Sequence, residues 1–294
     1  MPCYRPLQGY RSKVVNPSGK RSIVFKASQG FVDMPVTVPC GSCVGCRLDR
    51  SRQWAVRCIH EASLYEKNCF LTLTFNQEHL PADMSLCVKT HQDFMKRLRF
   101  RCGSGIKFYM CGEYGSKFGR PHYHYLLFNH DFNDKELFRV TRRGERLYTS
   151  KVLEELWPFG YSTIGSVTFE SAAYVARYIM KKITGDLADD HYRYIDPETG
   201  EIFDRKPEFN IPSNGLGKGW FEKFSSDVYP HDFVVLKGKK FKPPKYYDGL
   251  FEVEDPEGFQ RMKGRRVRSS KARAEDNTPQ RLAVREKVQL EKKI

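Results

Sequence analysis

Residues 105–128, GIKFYMCGEYGSKFGRPHYHYLLF, decide what kind of sheet this chain builds. Two β-rich runs, GIKFYMCGEYG and RPHYHYLLF, flank a short, basic, glycine-containing connection. That pattern reads as a β-hairpin with a loop somewhat longer than the tightest turns. Two central strands joined by a hairpin are antiparallel, which argues against a doubly wound parallel fold. Side chains alternate along a strand, so His122 and His124 share one face while Tyr123, Tyr125 and Leu127 take the other. If the strands pair across the loop, Glu113 comes close to the histidines. Two imidazoles and one carboxylate form a metal-ligand set that leaves positions open for a substrate oxygen and water. The competing reading is a pair of ordinary half-buried histidines, with Glu113 a solvated charge at the hairpin end.

Working outward, RLDRSRQWAVRCIHEASLYEKN has helical periodicity, with Trp54, Cys58, Ala62 and Tyr65 on one face. CFLTLTF, residues 69–75, is a strand. VKTHQDFMKRLRF is a helix anchored by Phe94 and Leu98. TSKVLEELW is a short helix with Thr149 or Ser150 as N-cap. GYSTIGSVTF is strand-like, and SAAYVARYIMKKIT is a helix ending near Gly185. The order through 47–185 is therefore α-β-α-β-β-α-β-α. It predicts an α+β fold: an antiparallel sheet with packed helices, preceded by an N-terminal cysteine-rich segment (1–46). An appendage (186–260) follows, with a hairpin at YRYIDPETGEIF, and then a basic, flexible tail (261–294).

The net charge of +15 points to a polyanionic partner such as nucleic acid. The tail holds twelve Lys/Arg against four Asp/Glu, more than half of that excess. The tail most simply tracks a DNA backbone by counterion release, and a solvated tail without a fixed partner is the alternative. No apolar run is long enough to span a membrane and no signal peptide opens the chain, so a cytoplasmic protein is expected. Cys40, Cys43 and Cys46 in PCGSCVGC have the spacing of a structural zinc site. Cys3 is the first candidate for the fourth ligand and Cys58 the second. Iron–sulfur ligation and a glycine-rich turn with free thiols are the alternatives.

In SAAYVARYIMKK, Ala172, Ala176, Ile179 and Ile183 make one helical stripe, and Tyr174, Tyr178 and Lys181 make another roughly opposite. Either stripe suits the sheet, since tyrosine packs well in a core. Chemically, a phenol with pKa ~10 is a poor nucleophile until its anion is stabilised, and a cation one turn away does that. A metal at His122, His124 and Glu113 would neutralise charge at a scissile phosphate. Tyrosine attack on a DNA phosphodiester would leave a phosphotyrosine and a free 3′ hydroxyl, with the bond energy kept for resealing.

FLTLTF, PHYHYLLF and YVARYIMKK, in that order, resemble the three motifs of the HUH endonucleases, the rolling-circle replication initiators. VPCGSCVGCRLDRSRQWAVRC, KPEFNIPSNGLGKGWFEKF and KPPKYYDGLFE are similar to segments of the initiators of small single-stranded DNA phages, the gokushovirus branch of the Microviridae. The resemblance implies an RRM-like core, Mg²⁺ or Mn²⁺ at His122, His124 and Glu113, and nucleophiles Tyr174 and Tyr178 assisted by Lys181. Arg177, Lys182, Lys117 and Arg120 are the cations expected on DNA. It also implies viral origin DNA as substrate and the host cell cytoplasm as location. SNGLGKGW is not a Walker A loop, because Gly219 follows Lys218 where Ser or Thr is needed, so a host helicase and polymerase are expected partners. A non-catalytic nucleic-acid-binding protein, or an HUH transposase or relaxase, are the rival readings.

Overall fold

The computed structural model describes residues 3–115, 118–177, 182–183, 188–197 and 199–292. Tyr178, Lys181 and Lys117, named above, fall outside them. The chain forms two compact units. One joins residues 1–50 to 263–294; the other is the continuous stretch 51–262.

The first unit opens with β1 (Leu7–Val15), β2 (Arg21–Val24) and β3 (Gly30–Val38), an antiparallel sheet of order β2-β1-β3. Helix α1 (Val44–Ala62) follows and runs into the second unit.

The second unit continues with β4 (Asn68–Phe75), α2 (Val88–Cys102), β5 (Lys107–Tyr114), β6 (Pro121–Phe128), β7 (Glu136–Val140), β8 (Arg146–Thr149), α3 (Lys151–Leu156), β9 (Gly160–Gly165) and α4 (Phe169–Arg177). Then come α5 (Ala188–Tyr192), β10 (Arg193–Ile195), β11 (Ile202–Asp204), β12 (Phe209–Pro212), α6 (Lys218–Val228), β13 (Val234–Leu236), β14 (Lys239–Phe241) and α7 (Lys245–Glu254). Helices α8 (Pro256–Lys271) and α9 (Pro279–Glu291) close the chain.

The main sheet has seven strands in the order β12-β5-β6-β4-β9-β8-β7, with every pairing antiparallel. Its central strands β5-β6-β4-β9, with α2 and α3 as crossings, form a split β-α-β-β-α-β unit. The α+β expectation therefore holds. Alternation along β4 and β6 sorts the two faces. Leu71, Leu73, Tyr123, Tyr125 and Leu127 point toward Phe94 and Leu98 of α2 and Leu153 of α3. Leu126 and Phe128, with Tyr109 and Cys111 of β5, point the other way, toward Ala55 and Cys58 of α1 and Ala172, Val175 and Ala176 of α4.

Three expectations need correcting. First, β7 and β8 extend the sheet where no strands were read. Second, the boundary at 185 cuts the sheet, because β12 from the expected appendage pairs with β5, Phe209 opposite Gly112. Third, the segment 261–294 is not a structureless tail. It contains the end of α8 and all of α9, and Leu282 is buried with Tyr4 and Cys43. Thr278 caps α9 by accepting the N–H of Arg281, and Arg5 pairs with Glu286 at 2.9 Å. A few apolar anchors suffice to hold helices whose remaining surface is charged.

Gly217 of SNGLGKGW serves packing. The Gly217 N–H donates to Glu61 Oε2 at 2.6 Å, and Lys107 reaches the other oxygen of that buried carboxylate at 2.8 Å. Gly217 has φ +81°, and a Cβ there would lie 2.6 Å from the Tyr247 hydroxyl.

Candidate functional site

Register alone builds the site. Glu113 of β5 lies opposite His122 of β6, and Cys111 opposite His124. Across the other edge of β6, His124 faces Thr72 and His122 faces Thr74. Beyond β4, Thr72 faces Thr163 and Thr74 faces Tyr161. Directly opposite residues of antiparallel strands share a face, so this row lies on the side that α4 covers only partly.

Glu113 is 5% exposed, and its Oε1 meets Nε2 of His124 at 2.8 Å. Nδ1 of His124 contacts the Thr72 hydroxyl at 3.0 Å, and Phe70 stacks against the ring. His122 holds its Nδ1 at 2.6 Å from the carbonyl of Arg120. Burial lowers the His122 pKa, favouring the neutral imidazole that ligates metals. Gly115 makes room for this ring: a Cβ there would stand 2.9 Å from Cε1 of His122.

Helix α4 buries Ala172, Val175 and Ala176, so the alanine stripe faces the sheet. Tyr174 is left 40% exposed and leans over the polar row. Its hydroxyl donates to Glu113 Oε1 at 3.5 Å, and its ring meets that of His124 edge-on, centroids 5.3 Å apart. These groups line a cleft of about 600 Å³ with Phe118, Arg120, Arg139, Thr141, Glu145, Leu147 and Thr163.

Among the described residues only four cysteines gather three or more ligand atoms within 4.8 Å of one another; this row holds a carboxylate and two imidazoles in a looser group, each imidazole with Nδ1 held by a neighbouring oxygen. That is how ligating histidines are oriented. The Glu113–His124 contact joins two ligand-type atoms through a proton. The two histidine rings lie 6.4 Å apart and nearly parallel, so this group is more open than the cysteine cluster described below.

Of the expected DNA cations, Arg177 and Lys182 are exposed. Arg120 lines the cleft, but its guanidinium donates to the carbonyl of Phe75 and to Gln77 Oε1, both at 2.9 Å. It braces β6 against the end of β4. Thr72, Phe70, Gly115 and the β7–β8 residues are additions that the sequence reading missed. A threonine inside a strand looks like β-propensity and nothing more.

Residues 68–183, which hold β4, the histidine pair and the tyrosine helix, match the replication-associated protein ORF2/G2P family. Replication-associated protein VP4 of Bdellovibrio phage phiMH2K is 34% identical over 94% of this chain and 85% of its own length. The chain belongs to this family of phage replication-associated proteins. Replication-associated protein ORF2 of Spiroplasma virus 4 is 36% identical over 88% of this chain and 83% of its own. ORF4 of Chlamydia phage 1 is 32% identical over 72% of this chain and 53% of its own. No solved structure matches the chain significantly. Among the described residues, no helix is long and apolar enough to cross a membrane.

This family member also has a cysteine cluster, in the unit of residues 1–50 and 263–294. The Sγ atoms of Cys3, Cys40, Cys43 and Cys46 all lie within 4.8 Å of one another. Cys3 is thus the fourth member, and Cys58 is buried in the core between α1 and the sheet. Cys3 Sγ is 3.5 Å from that of Cys40 and 3.8 Å from that of Cys43. Zinc–sulfur bonds of about 2.3 Å give a tetrahedron with edges of about 3.8 Å, so the spacing fits zinc. The N–H of Cys40 donates to Cys3, that of Cys43 to Cys40 and that of Tyr4 to Cys43, at 3.2, 3.3 and 3.4 Å. Burial alone would raise the Cys40 thiol, but N–H and hydroxyl donors from Cys43 and Ser42 bring it down to about 6. Burial raises Cys3 and pushes Cys46 up to about 12. Four sulfurs this close ionise together only around a cation. The cluster can hold a metal ion.

Proposed function

We propose that the chain is a rolling-circle replication initiator that nicks viral origin DNA with Tyr174 as a nucleophile. The observation that carries this is the Tyr174 hydroxyl held at 3.5 Å from Glu113, over a row that also contains His122 and His124. Tyr174 packs edge-on against His124 and Phe70, while the apolar side of α4 is supplied by its alanines and Val175, so the phenol's hydroxyl is turned to the polar row. The phenolic oxygen attacks the phosphorus and the bond to the 3′ oxygen breaks. The phenol's proton is lost and the departing oxygen gains one. A 5′-phosphotyrosine and a 3′ hydroxyl primer result, and the reverse reaction rejoins the displaced circle without ATP. Glu113, His122 and His124 would hold Mg²⁺ or Mn²⁺, which supplies charge neutralisation at the scissile phosphate. Thr72 and the Arg120 carbonyl fix both rings, and Gly115 admits the second. Tyr178 and Lys181, outside the described residues, complete the two-tyrosine proposal. Host helicase and polymerase supply unwinding and synthesis.

The test is incubation of the full chain with single-stranded viral DNA and Mg²⁺ or Mn²⁺, followed by denaturing electrophoresis. A covalent protein–DNA adduct is expected, and it should vanish in the Tyr174→Phe, Tyr178→Phe double variant. No adduct on any fragment of a panel spanning the phage genome favours a purely DNA-binding protein. The four-cysteine cluster is proposed as a structural zinc site, supported by its sulfur spacing and its N–H donors.

A further inference from the structure

The β7–β8 hairpin is built unlike the rest of the sheet. Every residue of β7 is exposed, including Leu137, Phe138 and Val140, and β8 joins β9 at one paired position, Tyr148 opposite Ile164. Its turn is well defined. Thr141 N–H donates to the Glu145 carbonyl and Gly144 N–H to the Thr141 carbonyl, at 2.8 and 2.9 Å, with Gly144 at φ +79°. The hairpin carries Arg139, Arg142, Arg143 and Arg146 against two glutamates. Among the described residues no carboxylate pairs with Arg142, Arg143 or Arg146. Solvated arginines at hairpin spacing are common, so charge alone decides nothing. What decides is position. From the hairpin, Arg139, Thr141, Glu145 and Leu147 line the cleft that contains Glu113, His122, His124 and Tyr174, and Phe118 lines it with them. Phe118 is 82% exposed, and Tyr161, on the same face beyond the histidine row, is 70% exposed.

We infer that the β7–β8 hairpin is a single-strand-holding arm, with its arginines on the phosphates of the DNA and Phe118 beneath an unpaired base. The inference rests on the cleft being where DNA is cut. Arginine forks match phosphate oxygens. Exposed rings stack on unpaired bases without the cost of unstacking a duplex, which favours a single strand over a duplex.

The test uses the full chain with a chelator present, so that binding is read without cleavage. The probes are a labelled oligothymidylate and a mixed-sequence duplex of equal length. Replacing both tip arginines, Arg142→Gln with Arg143→Gln, should lower oligothymidylate affinity about tenfold at low salt. It should also reduce the slope of log affinity against log salt by about 1.4, roughly 0.7 for each lost single-strand phosphate contact. Phe118→Ala should lower oligothymidylate affinity about fivefold or more. Duplex affinity should change much less in both variants. Unchanged oligothymidylate affinity and salt slope in the tip variant overturn the arm. Equal losses on duplex and single strand also overturn it, leaving only a general basic patch. Adduct formation by the unaltered chain is scored separately, so a failed nickase reading and a failed arm give different results.

Discussion

At Gly115 a hydrogen atom stands where any other residue would put a carbon 2.9 Å from the His122 ring. Gly115→Ala should shift that ring and slow adduct formation by roughly 10- to 100-fold, since misplacements near 1 Å carry such costs. Urea denaturation should stay close to that of the unaltered chain, separating a site effect from a fold effect. His122→Ala should remove metal-dependent cleavage while leaving most of the affinity for DNA, measured by anisotropy with chelator. Another histidine contributes to the pH dependence of stability. His60 is buried against Trp220 and Tyr247, and burial lowers its pKa from 6.5 to about 3. The unfolded chain protonates this histidine as pH falls through about 6.5, while the folded one stays neutral down to about 3. Stability is therefore present above that window and is lost within it, by about 1.4 kcal/mol per pH unit for this group. The unfolding free energy of a His60→Gln variant should fall less steeply between those pH values. At this scale the histidine pair and Glu113 were legible, because a period of two and one hairpin fix their register. Thr72 and Gly115 were not, because their roles depend on a neighbouring strand and on the space around a ring.

Helix α3 is the element whose start can be tested most directly. Ser150, rather than Thr149, caps it: its Oγ accepts the N–H of Leu153 at 3.1 Å and donates to Asp134 at 2.7 Å. Asp134 in turn accepts the N–H of Val152. Ser150→Ala should cost about 1–2 kcal/mol in urea denaturation, because it strips both a cap and a carboxylate partner. The helices and strands that bury one side were readable from periodicity. The β7–β8 hairpin was not, since Leu137, Phe138 and Val140 do not alternate with the polar residues of β7. Helices α8 and α9 were missed for the opposite reason: their charge hid the two anchors, Met262 and Leu282. For α4, periodicity found both stripes but could not choose between them. The sheet chose the alanines, which let the helix approach and left Tyr174 over the polar row.

At the scale of the molecule, the unit of residues 1–50 and 263–294 depends on a small apolar cluster and four cysteines. Cys40→Ser with Cys43→Ser should abolish one equivalent of bound zinc, read by elemental analysis, and open α9 to limited proteolysis. The cleft-bearing unit should keep its denaturation midpoint. Removing residues 279–294 should expose Tyr4 and Cys43 to solvent as well as lower the salt dependence of DNA binding. The antiparallel α+β plan was legible because one hairpin fixes it. The pairing of the two chain ends was not, because contacts between distant residues leave no local periodicity.

That pairing sets an order of events during synthesis. Arg5 and Glu286 are 281 positions apart, whereas the cleft-bearing unit is one uninterrupted stretch. Distant contacts close slowly, and domains fold as they emerge. The strands β1 to β3 are therefore made well before α9, yet they wait for that helix before their unit is complete. A polypeptide stalled near residue 262 would carry a folded cleft and an unfinished first unit.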